Sequence, residues 1–255
     1  MQVLIDGDEL VYKACVSSED DVDFGDFHAL VSDWCDVQNK ILSDLERISE
    51  KADGGQVHVA MSDSRNFRKE FCPSYKANRK SHRKPLAFRR AVEFLEKEVL
   101  CISYPTLEAD DVLGILSQQY DMIVSSDKDL LTIPGCVYSI LKDTVTTVTP
   151  EQADWNWFMQ ALMGDRVDGY AGAKGMGAKR AARFLEGLGG TSSVRDDGLQ
   201  GSLPGAYTLL EDVVGAFEGA GQTRAEANES LVLARILRPG EYDVKNNKVV
   251  NLHWC

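Results

Sequence analysis

The chain lacks the features that would place it outside the cell or within a membrane. Its six cysteines, Cys15, Cys35, Cys72, Cys101, Cys136 and Cys255, form neither a C-x-x-C pair nor a regular framework. They read as reduced thiols rather than as disulfides or a structural zinc site. Met1 leads directly into Val3, Leu4 and Ile5 and then into acids, without the charged start and apolar core of a signal peptide, and no later apolar run reaches the ~18 residues of a membrane span. The cytoplasm is the expected compartment. Histidine is scarce as well: His28, His58, His82 and His253 keep no ligand spacing with the cysteines, which argues against a histidine-based catalytic or metal site. No internal repeat is visible.

What is present suffices for a sizeable core. With 255 residues, 44% of them hydrophobic, the chain can build one large domain, or one domain with a small appendage. The net charge of −12 argues at first against a polyanionic ligand. The charges are segregated, however. Over residues 65–90 the basic residues Arg65, Arg68, Lys69, Lys76, Arg79, Lys80, Arg83, Lys84, Arg89 and Arg90 face a single acid, Glu70, a basic island in an acidic chain.

Apolar periodicity predicts strands over 3–5, 57–61, 102–104, 122–124 and 137–141 and helices over 30–48, 86–95 and 109–119. Alternation of this kind favours an α/β fold with a mostly parallel central sheet flanked by helices. From Pro150 onward the pattern turns helical, with helices over 151–163 and 178–188 joined by the glycine-rich stretch 169–177. A boundary near Pro150 therefore divides a core, 1–150, from a helical subdomain, 151–255. The Gly/Ser-rich stretch 187–205 reads as a flexible loop, and Asn246-Asn247 as the turn of a terminal hairpin.

The acids carry the chemistry. Asp6, Asp63, Glu108 and Asp127 each fall at or just after the carboxyl end of a predicted strand, the edge at which open parallel sheets bind ligands. Asp8, Asp110, Asp111 and Asp129 lie beside them. Each short acidic motif alone also fits a turn or the acidic first turn of a helix. Three of them, Ile5-Asp6-Gly7-Asp8, Glu108-Ala109-Asp110-Asp111 and Ser126-Asp127-Lys128-Asp129, following apolar strands in one chain point instead to a joint site. Clustered carboxylates repel one another, and hard divalent ions such as Mg²⁺ or Mn²⁺, which prefer oxygen ligands, relieve the repulsion. Two such ions suit phosphodiester hydrolysis.

These residues, with Ser62-Asp63, Phe67-Arg68, Tyr75-Lys76-Ala77-Asn78-Arg79 and Gly164-Asp165 followed by Asp168, resemble the 5′ nuclease superfamily of flap endonucleases, polymerase-associated 5′ nucleases and phage exonucleases. The resemblance covers roughly residues 1–188. The compact chain, without a long C-terminal extension, looks nearest to the 5′-to-3′ exonucleases of T7-like phages, which implies the cytoplasm of a bacterial host.

By that resemblance Asp6, Asp63, Glu108 and Asp110 would bind one divalent ion, Mg²⁺ or Mn²⁺, and Asp127, Asp129, Asp165 and Asp168 a second, with Asp111 serving either. Asp165 and Asp168 are spaced to face the same way if they share a helical turn. Lys76 and Arg79 would act on the scissile phosphate, and Tyr75 would stack on a base. The basic island, with Arg68, Lys80, Arg83 and Lys84, would form an arch or clamp over a single strand. The stretch 172–179 resembles a helix–hairpin–helix, in which Gly175 and Gly177 admit a phosphate backbone, Lys174, Lys179 and Arg180 add charge, and a K⁺ ion bridges.

The implied activity is 5′-to-3′ exonucleolytic and flap-endonucleolytic cleavage of duplex DNA and of RNA in DNA–RNA hybrids, with other replication proteins as further partners. Two alternatives share the fold. A non-catalytic DNA-binding module should have lost several carboxylates, and a PIN-like ribonuclease leaves the glycine-rich hairpin unexplained.

Overall fold

The computed structural model describes residues 1–81, 83–195, 198–203, 209–250 and 252. Its centre is a six-stranded sheet. In spatial order the strands are Leu100–Ile102, Gln56–Ala60, Gln2–Asp6, Met122–Val124, Gly135–Ser139 and Thr144–Val148. The first five run parallel and only the last is antiparallel to its neighbour.

Strand alternation sets the two layers. Val3 and Ile5 point to one face, where they pack with Val11, Val37, Ile41, Ile48, Ala91 and Leu95 from helices Gly7–Val16, Trp34–Lys51 and Phe88–Glu98. Leu4 points to the other, against Val112 and Leu113 of helix Ala109–Leu116. Each fully buried aliphatic side chain contributes about 2 kcal/mol relative to exposure, so both faces of the sheet are strongly specified.

Helix Pro150–Met163 opens the second half, with a proline in its first turn and a reciprocal Thr149/Gln152 capping box. Trp155, Trp157 and Phe158 seed a separate core shared with helices Ala178–Gly187, Leu210–Gly219 and Arg224–Leu233. The chain then returns: Ile236, Leu237 and Tyr242 pack back against the sheet beneath helix Ala109–Leu116. The terminal hairpin pairs Tyr242–Asp243 with Lys248–Val249, as expected.

Two expectations fail. The helix expected over 30–48 begins only at Trp34, capped by Asp33. Residues His28–Ser32 pair instead with Glu19–Asp23 in an antiparallel hairpin. The stretch 187–205 is not a plain loop, because Thr191–Arg195 pairs with Gly198–Ser202. Gly201 lets this second hairpin lie on the indole of Trp155, since an added Cβ would come within 2.2 Å of the ring.

Candidate active site

Strand Gln2–Asp6 delivers Asp6 to the rim of the sheet as the N-cap of helix Gly7–Val16, its Oδ1 accepting the Glu9 amide at 3.0 Å. The neighbouring parallel strand Met122–Val124 is followed by Ser125, whose hydroxyl donates to Asp6 Oδ2 at 3.2 Å and to Glu9 Oε2 at 2.9 Å. Asp127 then caps the 3₁₀ turn Lys128–Thr132, which carries Asp129. Glu108 and Asp110 come from the start of helix Ala109–Leu116. Asp165 and Asp168 enter from the junction after helix Pro150–Met163.

Glu108, Asp110, Asp127, Asp129, Asp165 and Asp168 line one cavity of about 250 Å³ together with Lys76, Arg79 and Lys128. Asp6 lies near enough to Asp110 that its charge helps to raise the proton affinity of Asp110. Among the described residues, no three of these side chains yet form a closed ligand cage. Lys76 and Arg79 stand among them: Lys76 Nζ donates to Glu108 Oε1 at 2.8 Å and lies 3.8 Å from Asp168, while Arg79 reaches Asp168 Oδ1 at 2.6 Å.

The proton affinities divide the cluster. Burial opposes ionisation of Glu108, but Lys76 and Arg68 outweigh it and bring the carboxyl down to about 2. Burial, then Glu9 and Asp8, push Asp6 up to about 7. Burial with the charges of Asp127, Asp168 and Asp165 does the same to Asp129, also to about 7. Asp110 rises well above the carboxylate range through burial and its neighbours Asp6, Glu108 and Asp127. Burial also raises Asp168, against the pull of Lys76 and Arg79. The rim thus holds more buried negative charge than its own cations balance, the condition that a bound cation relieves.

Lys76 is held in an unfavourable backbone conformation, φ 52°. Its amide donates to the Asp168 carbonyl at 2.8 Å, so the strain is fixed by the same segment that its ammonium serves.

Other expected site residues are placed differently. Asp111 is fully buried and takes a bidentate pair from Arg68 at 2.6 and 2.7 Å, with the Leu237 amide at 3.1 Å, so it faces the core and not the cavity centre. Arg68, 2% exposed, borders the cavity with its guanidinium engaged by Asp111. Tyr75 is 3% exposed, borders the cavity and donates its hydroxyl to Glu108 Oε2 at 3.1 Å. Asp63 lies outside the cavity lining; it accepts from the Thr106 and Ser64 amides, both at 2.7 Å, and pairs with Arg65, and these donors hold its carboxyl low. Asp165 and Asp168 do not share a helical turn. Gly164–Asp165 pairs with Tyr170–Ala171 in a short ladder, and the Asp168 amide donates to Asp165 Oδ1 at 3.2 Å across the intervening turn.

The basic island is broken into helix Phe67–Phe71, the 3₁₀ turn Ala77–Ser81 and the start of helix Phe88–Glu98. Arg79 is 51% exposed at the cavity mouth. Arg83 pairs with Glu19 of the first hairpin, and Lys84 lies 4.4 Å over the Phe88 ring. The side chain of Lys80 and all of His82 and His253 fall outside the described residues. Of the other histidines, His28 sits near Asp21 and His58 bonds Tyr120.

Between helices Pro150–Met163 and Ala178–Gly187, Gly175 adopts φ +76°, a conformation that glycine tolerates, and Gly177 is the N-cap with open space beside it. Lys174, Lys179 and Arg180 are exposed there, and Arg180 donates to the Gly175 carbonyl at 3.0 Å.

Sequence reasoning missed Glu9, which bonds Ser125 and the Ser126 amide and pairs with Lys13. Its position three residues beyond Asp6, at the start of a helix, was the available signal. It also missed Gln160, which donates to Asp129 Oδ1 at 2.7 Å; nothing in the local pattern marks it.

The profile described as "5'-3' exonuclease, N-terminal resolvase-like domain" matches residues 1–158. The chain belongs to this 5′-3′ exonuclease family. The exodeoxyribonuclease of Enterobacteria phage T3 is 32% identical over 277 residues, covering 97% of this chain and 91% of the relative. The exonuclease of Escherichia phage T7 is 31% identical over 283 residues, with the same coverage. Among solved structures, the flap endonuclease of bacteriophage T5, crystallised with DNA and metal ions, superposes with a TM-score of 0.64 at 16% identity over 91% of this chain and 88% of its own. The chain is accordingly a nuclease, a phosphodiesterase of the 5′-3′ exonuclease family. No helix among the described residues is long and apolar enough to cross a membrane.

Proposed function

We propose that this nuclease is a divalent-metal-dependent 5′-to-3′ exonuclease and flap endonuclease that cuts duplex DNA, and RNA in DNA–RNA hybrids, near their 5′ ends. The observation that carries the reading is the buried surplus of carboxylates around the cavity, with Asp6 and Asp129 both pushed to about 7. An all-oxygen donor set of this kind suits Mg²⁺ or Mn²⁺. Asp6, Glu108 and Asp110 would hold one ion, and Asp127, Asp129, Asp165 and Asp168 a second. Asp63 and Asp111 are left out because their oxygens are taken by Thr106, Arg65 and Arg68. When bound, such ions supply an ionised water and offset charge on the phosphate.

The remaining work falls to the chain. Lys76 and Arg79, already at the cavity, neutralise the non-bridging oxygens of the scissile phosphate and hold it for attack. Lys128 borders the same cavity. At a distance, the turn around Gly175 and the N-terminus of helix Ala178–Gly187 act as a helix–hairpin–helix that grips a duplex phosphate through backbone amides, with K⁺ as a bridging ion and Lys174, Lys179 and Arg180 supplying charge. Arg83 and Lys84 form a basic rim for the strand that enters. Host-cell cytoplasm and association with other replication proteins belong to the same proposal.

A 5′-labelled flapped duplex and a DNA–RNA hybrid, each incubated with Mg²⁺ or with EDTA, test it. Short 5′ products that require Mg²⁺ are expected from both substrates. Binding without cleavage would instead favour a DNA-binding module, and preference for single-stranded RNA a ribonuclease.

A further inference from the structure

The matched family segment ends at residue 158, yet the cavity is held together by residues beyond it. Leu233, Ala234 and Ile236 line its floor. Among and just after them lie Arg235 and Arg238. Arg235 pairs with Glu241 at 2.5 Å and stacks 4.4 Å over Trp157. Its carbonyl accepts from Arg68, the partner of Asp111.

Arg238 is the more informative of the two. One arm of its guanidinium, Nη1, donates to Asp154 Oδ1 at 2.6 Å on helix Pro150–Met163. Nε and Nη2 both donate to the Thr132 carbonyl, at 3.1 and 2.8 Å. Thr132 ends the 3₁₀ turn that carries Asp129, and its hydroxyl donates to the Asp129 carbonyl at 2.7 Å. The same helix reaches the same turn twice more, through Asn156 to the Leu131 carbonyl at 2.9 Å and Gln160 to Asp129 Oδ1 at 2.7 Å. Arg238 does not line the cavity.

We infer that Arg238 is a positioning residue for the nuclease site: its fork pins the turn bearing Asp127 and Asp129 to the helix that leads into Asp165 and Asp168, and so sets the spacing of the four carboxylates proposed for the second metal ion. The inference rests on the metal-dependent reading above. A partly buried guanidinium with partners on two elements defines a distance that a single ammonium cannot reproduce, because lysine has no planar fork. Groups that orient ligating carboxylates from behind commonly change metal affinity or activity by about 10- to 100-fold when removed.

The test compares Arg238→Met, Arg238→Lys and a control, Thr223→Ala, which removes the cap of helix Arg224–Leu233 in the same half of the molecule without touching the turn. Mn²⁺ binding is titrated calorimetrically without DNA, and kcat, KM and melting temperature are measured on the flapped duplex and the full chain. Arg238→Met should weaken Mn²⁺ binding and lower kcat, each by about tenfold, with KM unchanged; Arg238→Lys should recover only part of both. Thr223→Ala should lower the melting temperature alone. If Arg238→Met matches Thr223→Ala in Mn²⁺ affinity and kcat, or changes KM instead, the positioning role is overturned. If the wild-type chain binds no Mn²⁺, the metal-dependent reading fails and takes this inference with it.

Discussion

The two sides of the carboxylate cavity are built on different principles. On one side Glu108 meets Lys76 and Tyr75 directly, and Asp111 behind it is clamped by Arg68, so Glu108 falls to about 2. On the other side Asp129 meets a neutral partner, Gln160, and three carboxylates, and rises to about 7. On the first side the balance is confined to Glu108, since Asp110 at the same helix start rises well above the carboxylate range. The other side is under-balanced and comes from turns. The dependence on an external cation should therefore be greater at the turn-borne Asp129 than at Glu108.

Removing Asp129 is the sharpest way to break that contrast. Asp129→Asn should abolish cleavage, by about 10³-fold or more if a whole ion and its charge stabilisation are lost, while duplex affinity measured with Ca²⁺ in place of Mg²⁺ stays near wild type. Near-normal cleavage would show that the under-balanced side is not where the essential cation sits.

Lys76 tests the balanced carboxyl. Lys76→Ala should lower kcat by about 10²-fold with little change in KM, because the ammonium is proposed to act on the phosphate under attack. Removing it also frees Glu108 from its main counter-charge. An effect confined to KM would make Lys76 a binding residue at the rim.

How much of this was legible follows from the same contrast. Strand ends in a parallel sheet converge on one rim, so Asp6, Glu108 and Asp127 could be read from strand position, with Asp110 beside them, although the same rule also picked Asp63, which lies outside the cavity lining. Arg68 and Asp111 could not: the pair joins residues 43 apart, and a basic residue within a basic stretch gives no sign that it is turned inward. The hairpin Glu19–Asp23 with His28–Ser32 escaped because its first strand, Glu-Asp-Asp-Val-Asp, has no apolar alternation, its side chains being largely exposed. The hairpin over 191–202 escaped because its pairing depends on Gly201 meeting Trp155, a tertiary contact that no local pattern encodes. Arg238 and Gln160 belong to the same class, since their partners lie on elements distant in sequence.

Titration separates the raised carboxyls from the balanced one without mutation. Asp6 and Asp129, at about 7, bind more protons in the folded than in the unfolded chain between about pH 4 and 7. A carboxyl raised in this way destabilises the fold as pH climbs through that interval. Glu108, at about 2, has the opposite sign, and its contribution is lost only below about pH 4. The metal-free protein should therefore melt at progressively lower temperature from pH 5 to pH 8, and Mg²⁺ should flatten the slope by binding the ionised carboxylates. A melting temperature that rises over this range without metal would mean that these carboxyls are not protonated in the folded state.

The smallest expected effect lies outside the cavity and bears on whether duplex grip and chemistry are separable. Gly175 holds φ +76°, and a side chain there would also meet Arg180 at 3.2 Å. A β-branched residue would deform the turn and withdraw its amides from a phosphate. Gly175→Val should weaken duplex binding by about fivefold, equivalent to about 1 kcal/mol, with kcat at saturating DNA unchanged. Backbone strain alone is controlled by Gly54→Val, which has φ +71° and no close neighbour, in the turn between helix Trp34–Lys51 and strand Gln56–Ala60. If both variants bind duplex equally well, the turn serves the fold; if only Gly175→Val loses affinity, the helical half holds the duplex while the sheet rim cuts it.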